Sequence, residues 1–211
     1  RLTFNLLEGL KLNLFGAYTY NIVENSQYLP TSVWANGQAY KGTKKRESLL
    51  GNMMLTYKKN WKKHFFDVLA LAELQKETYT GYYTTVSNFS TDKFGYNNLQ
   101  AGALRLWEGT NSYYEQPRLA SFMGRFNYTY ADRYVLTLNA RTDASSKFGA
   151  NHKWGFFPSA SAAWVISEEE FMKQFPVIDN LKFRIGYGLA GNQSGIDSYT
   201  TLNLVKPNGV V

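Results

Sequence analysis

The sequence predicts an all-β protein of consecutive antiparallel strands, on three observations. Apolar residues recur with a period of two, connections between strands alternate short and long, and ring side chains gather at strand ends. Together these describe a sheet with one greasy and one hydrophilic side that crosses a bilayer, as a segment of an antiparallel transmembrane β-barrel does. No run approaches the roughly 18 apolar residues that a membrane helix needs, so helical crossing is excluded.

Taken in order, a partial strand lies around Leu2 to Leu6. Residues 10 to 21 form the first complete strand: Leu10, Leu12, Leu14, Tyr18 and Tyr20 share one face, and Lys11, Asn13, Ala17, Thr19 and Asn21 the other, with Phe15 as the exception. Strands follow at 48 to 57, carrying Leu49, Met53, Leu55 and Tyr57, and at 64 to 75, where Phe66, Val68, Ala70, Ala72 and Leu74 oppose Asp67, Glu73 and Gln75. In residues 118 to 130, Phe122, Phe126, Tyr128 and Tyr130 oppose Ser121, Arg125, Asn127 and Thr129. In residues 134 to 143, Tyr134, Leu136, Leu138 and Ala140 oppose Thr137, Asn139, Arg141 and Asp143. Only Ala131-Asp132-Arg133 separates these two, which makes a tight hairpin. Strands at 157 to 166 and 181 to 190, the latter with Phe183 and Ile185 against Lys182 and Arg184, complete the set, and a partial one lies around Thr200 to Val205. The expectation is about seven or eight consecutive strands.

The connections at 7 to 9, 58 to 63 and 131 to 133 are short, whereas 22 to 46, 76 to 117 and 144 to 156 are long. Short turns at one end and long loops at the other put the long, extracellular loops on one side of an outer membrane and the turns on the periplasmic side. Residues 167 to 180 depart from this pattern. Ser167-Glu168-Glu169-Glu170 ahead of Phe171 and Met172 reads as a capping box, so one short periplasmic helix is expected there. Tyr57, Phe66, Tyr128, Tyr130, Tyr134 and Trp164 fall at the short-turn ends, and Tyr18, Tyr20 and Tyr187 at the long-loop ends, as two interfacial girdles.

Composition narrows the chemistry. Lys and Arg number 23 against 16 Asp and Glu, a formal charge of +7, and Cys is absent. Disulfides, thiolate metal sites and Cys nucleophiles are thereby excluded, and His64 and His152 alone are too few for a poly-imidazole metal site. No cofactor is expected, because Gly-rich phosphate loops, Ser-His-Asp order and zinc spacings are all missing. Glu73 and Glu77 share a strand face about 13 Å apart, too far for paired acid–base work on a glycoside. The chain is expected not to be an enzyme. Lys58, Lys59, Lys62 and Lys63 around Trp61 form a basic turn that reads as solvated and facing interfacial phosphates, with no nucleic-acid role.

On the hydrophilic face, Glu73, Arg125, Asn139, Arg141, Asp143 and Arg184 are the candidates to line a wet lumen, where Arg141 and Asp143 suit a lumen ion pair or a contact to a plug ahead of a polar substrate contact. Trp107, Tyr113 and Tyr114, in the longest connection, suit either a sugar-stacking platform at the extracellular mouth or packing of the loop on itself or on a lid protein.

Three blocks add a resemblance. RTDASSKFG (141 to 149), KWGFFPSASAAWVISEEEFM (153 to 172) and LKFRIGYGLAGNQ (181 to 193) resemble the C-terminal half of SusC/RagA-type TonB-dependent outer-membrane transporters of Bacteroidetes. The hairpin at 118 to 134 is similar to the family pattern too, and residues 1 to 117 match in style. Ala144 stands where the family has Gly, and Ala163 and Val165 where Gly and Arg are expected. The resemblance implies a barrel of about 22 strands with a plugged lumen, of which residues 1–211 are a part. Plug domain, TonB-binding segment and closing strands are then expected to lie outside a chain that starts at Arg1 without Met or leader. It implies glycan or peptide import, with a SusD-like surface lipoprotein and TonB as partners beside outer-membrane lipid. Gly186 and Gly188, on one strand face, become candidate plug contacts. The competing readings are a soluble all-β ligand-binding module and a self-contained barrel of about eight strands.

Overall fold

The computed structural model describes residues 1–149, 153–175 and 177–192, the side chain of Trp107 excepted. The described residues form a single sheet of nine strands. They are β1 (Leu2–Leu7), β2 (Leu10–Leu29), β3 (Gln38–Trp61), β4 (His64–Phe89), β5 (Gly102–Glu115), β6 (Arg118–Tyr130), β7 (Tyr134–Ser145), β8 (Trp154–Val165) and β9 (Lys182–Gly188). Pairing follows chain order from β1 to β9, except that β5 folds back on β4 and β6 then pairs β4. The path is open at β1 and β9, so this is a stretch of barrel wall whose edges must be paired wherever it meets hydrocarbon.

Two compact units divide the chain. The first comprises Arg1–Ala17, Leu50–Gln75 and Arg118–Val211, the second Tyr18–Leu49 and Lys76–Pro117. In the first, β6 and β7 pair without interruption from Leu119↔Ser145 to Tyr130↔Tyr134. Ala131 (φ 51) and Asp132 (φ 57) make the turn, both left-handed, and Arg133 N–H closes it on Tyr130 O at 3.0 Å. Two consecutive left-handed residues thus turn the chain within a three-residue connection, at the steric cost that non-glycine residues incur at positive φ. Unbroken register keeps Phe122, Phe126, Tyr128, Leu136 and Leu138 on one side, with Met123 and Val135 among the apolar residues of the other. Leu136 and Leu138 are 38% and 42% exposed, Phe183 and Ile185 58% and 64%, with no second layer of the described residues packed over them. A water-soluble sheet would bury such a face. Met172 is the one buried apolar residue described in this unit.

The second unit obeys the opposite rule. Ala39, Val86 and Phe89 are buried together, with Tyr28, Leu99 and Ala101 packed against them. Tyr28 meets Phe89 edge-on at 5.4 Å. Asp92 closes this unit as a clasp: it accepts from Tyr28 O–H at 2.7 Å, Thr31 N–H at 3.1 Å and Thr31 O–H at 2.8 Å. These bonds hold the Asp92 carboxyl below its usual range and push the Tyr28 phenol up to about 12.

Several sequence expectations need correction. The connections read as loops at 22 to 46 and 76 to 117 are strand for most of their length, since β2, β3 and β4 run on to Leu29, back to Gln38 and on to Phe89, and β5 lies inside the longest one. Backbone pairing continues there although both faces turn polar, so the two-residue period fades while the ladder does not. Tyr18 and Tyr20 accordingly fall in mid-strand. The expected helix at 167 to 180 is instead two 3-10 turns, Ile166–Glu168 and Glu170–Gln174, neither with a side-chain cap. The acidic side chains that would cap it are engaged elsewhere. Glu169 accepts from Tyr134 O–H (2.7 Å), Trp164 Nε1–H (3.0 Å) and Arg133 (3.0 Å), and Glu170 from Lys173 (2.6 Å). The expected strand at 200 to 205 lies outside the described residues.

Candidate functional site

The hydrophilic side of β6–β9 is assembled by register, one cross-strand row at a time. Arg125, Asn139, Ser159 and Gly188 face one another across four strands. Along that row Arg125 Nε donates to Asn139 Oδ1 at 3.0 Å, and Asn139 Nδ2 donates to Ser159 Oγ at 3.1 Å. The next row is Asn127, Thr137, Ser161 and Gly186, and the one beyond is Thr129, Val135, Ala163 and Arg184. Arg125, Asn127, Thr137, Asn139, Ser161 and Arg184 surround a hollow of about 350 Å³.

On the other side of the Arg125 row, Met123 faces Arg141 and Phe157, and Ser121 faces Asp143 and Gly155. Arg141 Nε lies 2.9 Å from both carboxylate oxygens of Asp143, so the expected ion pair is present. Arg141 Nη2 also donates to Ser121 Oγ at 3.3 Å, and Ser121 is only 1% exposed. A larger hollow of about 630 Å³ opens over this row, lined by Arg125, Asn139, Arg141, Asp143, Phe148 and Phe157 among others.

Phe157 is the residue that sequence reasoning missed. A side-chain carbon at Gly155 would come within 2.6 Å of its ring and one at Gly191 within 2.3 Å, so the far edge of the ring occupies the space that two glycines leave open on the hydrophilic wall. Its parity with Gly155, Ser159 and Ser161 was the available signal. Gly186 and Gly188, proposed from sequence as plug contacts, sit opposite Ser161 and Ser159, whose Cβ atoms would lie 3.0 and 2.6 Å from an added Cβ. Their bareness accommodates β8.

The remaining candidates are separate. Glu73 accepts from Asn52 Nδ2 at 3.3 Å in the first unit. In the second unit Tyr113 faces Gly81 across β4–β5, and its ring covers that glycine at 2.7 Å from where a Cβ would stand. Tyr114 is exposed, its hydroxyl accepting from Gln116 Nε2 at 2.9 Å. The side chain of Trp107 lies outside the described residues. The wall therefore offers guanidinium, carboxylate, amide, hydroxyl and ring groups in fixed array, a surface for reversible contacts with a polar solute. Among the described residues no group of three His, Asp or Glu side chains could hold a metal ion.

Comparison with known proteins agrees with this geometry. The family described as TonB dependent receptor-like, beta-barrel matches residues 1–209. TonB-dependent receptor P3 of Formosa agariphila is 32% identical over 203 residues, covering 94% of this chain and 20% of the relative. TonB-dependent receptor SusC of Bacteroides thetaiotaomicron is 31% identical over 227 residues, covering 97% of this chain and again 20% of the relative. The chain thus spans about a fifth of the length of the curated relatives it matches. Among solved structures, the RagAB peptide importer in its closed-closed state superposes with a TM-score of 0.80 at 20% identity, over 93% of this chain and 22% of that one. At that identity the likeness speaks for fold.

Proposed function

Because the chain belongs to the TonB-dependent receptor β-barrel family of the outer membrane, we propose that it is part of the wall of a SusC-like transporter that imports an oligosaccharide or a peptide. The observation that carries this reading is the two-sidedness of β6–β9: Leu136, Leu138, Phe183 and Ile185 uncovered on one side, and the Arg125–Asn139–Ser159 row on the other. A lipid-facing sheet whose reverse is lined with donors and acceptors is the wall of an aqueous conduit. In this reading Glu73, Arg125, Asn139, Arg141, Asp143 and Arg184 face the conduit, Gly186 and Gly188 let a plug approach, and Trp107, Tyr113 and Tyr114 belong to the extracellular mouth. A SusD-like lipoprotein serves as lid and TonB couples import to the inner membrane. The wall moves solute without covalent chemistry.

The test is growth and uptake. Deleting the gene in its host removes growth on one class of nutrient, tested with separate oligosaccharide and peptide mixtures, and a protonophore abolishes uptake of the same class. Unchanged uptake of both classes overturns the reading.

A further inference from the structure

We propose that the β3–β4 turn binds the headgroup of an anionic phospholipid, through Lys59, Lys62 and Lys63 held beside the rings of Trp61, His64, Tyr128 and Tyr130. The inference rests on the membrane-wall reading and adds a ligand to its short-turn rim.

The rings form a fixed platform. His64 stacks on Trp61 at 5.6 Å and approaches Tyr130 at 5.0 Å and Tyr128 at 5.9 Å. Its Nδ1 is 2.8 Å from the Tyr128 hydroxyl, which anchors the imidazole within the ring cluster. Trp61 is 61% exposed and shares strand parity with Leu55, Tyr57 and Lys59, on the side where the uncovered apolar residues lie. Rings with a polar edge in this position suit the zone between acyl chains and headgroups.

The charges are placed to match. Lys58, of opposite parity, is occupied by Asp67 at 3.4 Å, and Arg133 of the neighbouring turn by Glu169 and Glu170. Lys59, Lys62 and Lys63 have no carboxylate partner among the described residues, and Asp132 is the single acidic side chain of the adjoining β6–β7 turn. That turn is tied alongside by Ala131 N–H donating to Lys63 O at 2.7 Å. Lys62 has φ 54, a conformation that Gly or Asn takes with less strain, so a lysine is held where turn chemistry alone disfavours it. Three unpaired cations against an aromatic shelf complement a phosphodiester flanked by acyl chains.

The test uses the whole natural protein extracted in detergent from its outer membrane, loaded with equal phosphatidylglycerol and phosphatidylethanolamine and read by native mass spectrometry. The wild type is expected to retain phosphatidylglycerol in excess. The variant Lys59→Gln/Lys62→Asn/Lys63→Gln should lose that excess, by about fivefold per charge removed, and Lys59→Gln alone, which leaves the turn intact, should move in the same direction. Lys44→Gln/Lys45→Gln, exposed lysines of the second unit, should change nothing. Equal retention of both lipids by the wild type, or an excess unchanged in the triple and single variants, overturns the proposal while leaving the membrane-wall reading standing. A protein that stays in solution without detergent and carries no lipid sinks both.

Discussion

Arg125 donates its Nε proton to Asn139 Oδ1 at 3.0 Å, from a position directly opposite in the β6–β7 register. The bond can form only if both side chains leave the sheet on the same side, so it fixes the reverse of the hairpin, with Phe126 and Leu138, as the greasy side. The neighbouring positions Leu136 and Thr137 then make the sharpest comparison in the molecule.

Leu136→Arg is expected to destabilise the folded barrel in lipid by about 1–2 kcal/mol, the cost of a cation on the lipid-facing side two residues in from the Tyr134 girdle, between interface and midplane. Thr137→Arg, one residue along and facing Asn127 and Ser161, should cost far less because water remains available. Urea titration of the protein in vesicles reads the difference, and equal costs would end the two-sided reading.

Gly188 and Gly124 should separate in the same assay. An added carbon at Gly188 meets Ser159 Cβ at 2.6 Å, whereas one at Gly124 meets nothing within 4 Å. Gly188→Ala is expected to lose about 1–3 kcal/mol through overpacking, with recovery in Gly188→Ala/Ser159→Gly. Gly124→Ala should be neutral, or stabilising by under about 1 kcal/mol.

Gly81→Val drives a side chain into the Tyr113 ring and should open the β4–β5 hairpin, at about 1–3 kcal/mol. Faster amide exchange at residues 79 to 83 and 111 to 115 would register it. Tyr113→Ala in the same chain should relieve the clash.

The Asp92 clasp has two pH limits. Its carboxyl is depressed below the ordinary aspartate value of 3.8, so its contribution is present above that value and disappears as pH falls through the depressed one. The Tyr28 phenol is raised to about 12 from 10.0, so its contribution holds below pH 10 and disappears as pH climbs through the raised value. Limited proteolysis at 30 to 37 and 90 to 96 should stay flat between these limits, and Asp92→Asn should remove the acid limb.

What the sequence revealed follows from what each residue meets. The β6 bounds of 118 to 130 were readable because lipid on one side and water on the other impose a strict two-residue period. The same contrast exposed the Arg141–Asp143 pair, two residues apart on one strand. Where water lies on both sides the contrast vanishes, so the outer lengths of β2, β3 and β4, and all of β5, read as loop. Ser121 beneath Arg141 and Gly81 beneath Tyr113 were illegible for another reason: each partner comes from a different strand, and pairing register is not written in local pattern.

One polypeptide here answers to two solvents, with Ala39, Val86 and Phe89 shut inside the second unit and Leu136, Leu138 and Ile185 left bare on the first. Acyl chains are fluid and conform to whatever outline they meet, so the bare positions can exchange one aliphatic for another with little consequence, as long as they remain oily. The enclosed trio has no such latitude, because a methyl gained or lost there has only rigid neighbours to absorb it. Saturation mutagenesis should therefore find the bare positions of the first unit permissive and the enclosed trio of the second unforgiving, the reverse of the usual picture in which the exterior drifts and the interior of a membrane protein is frozen.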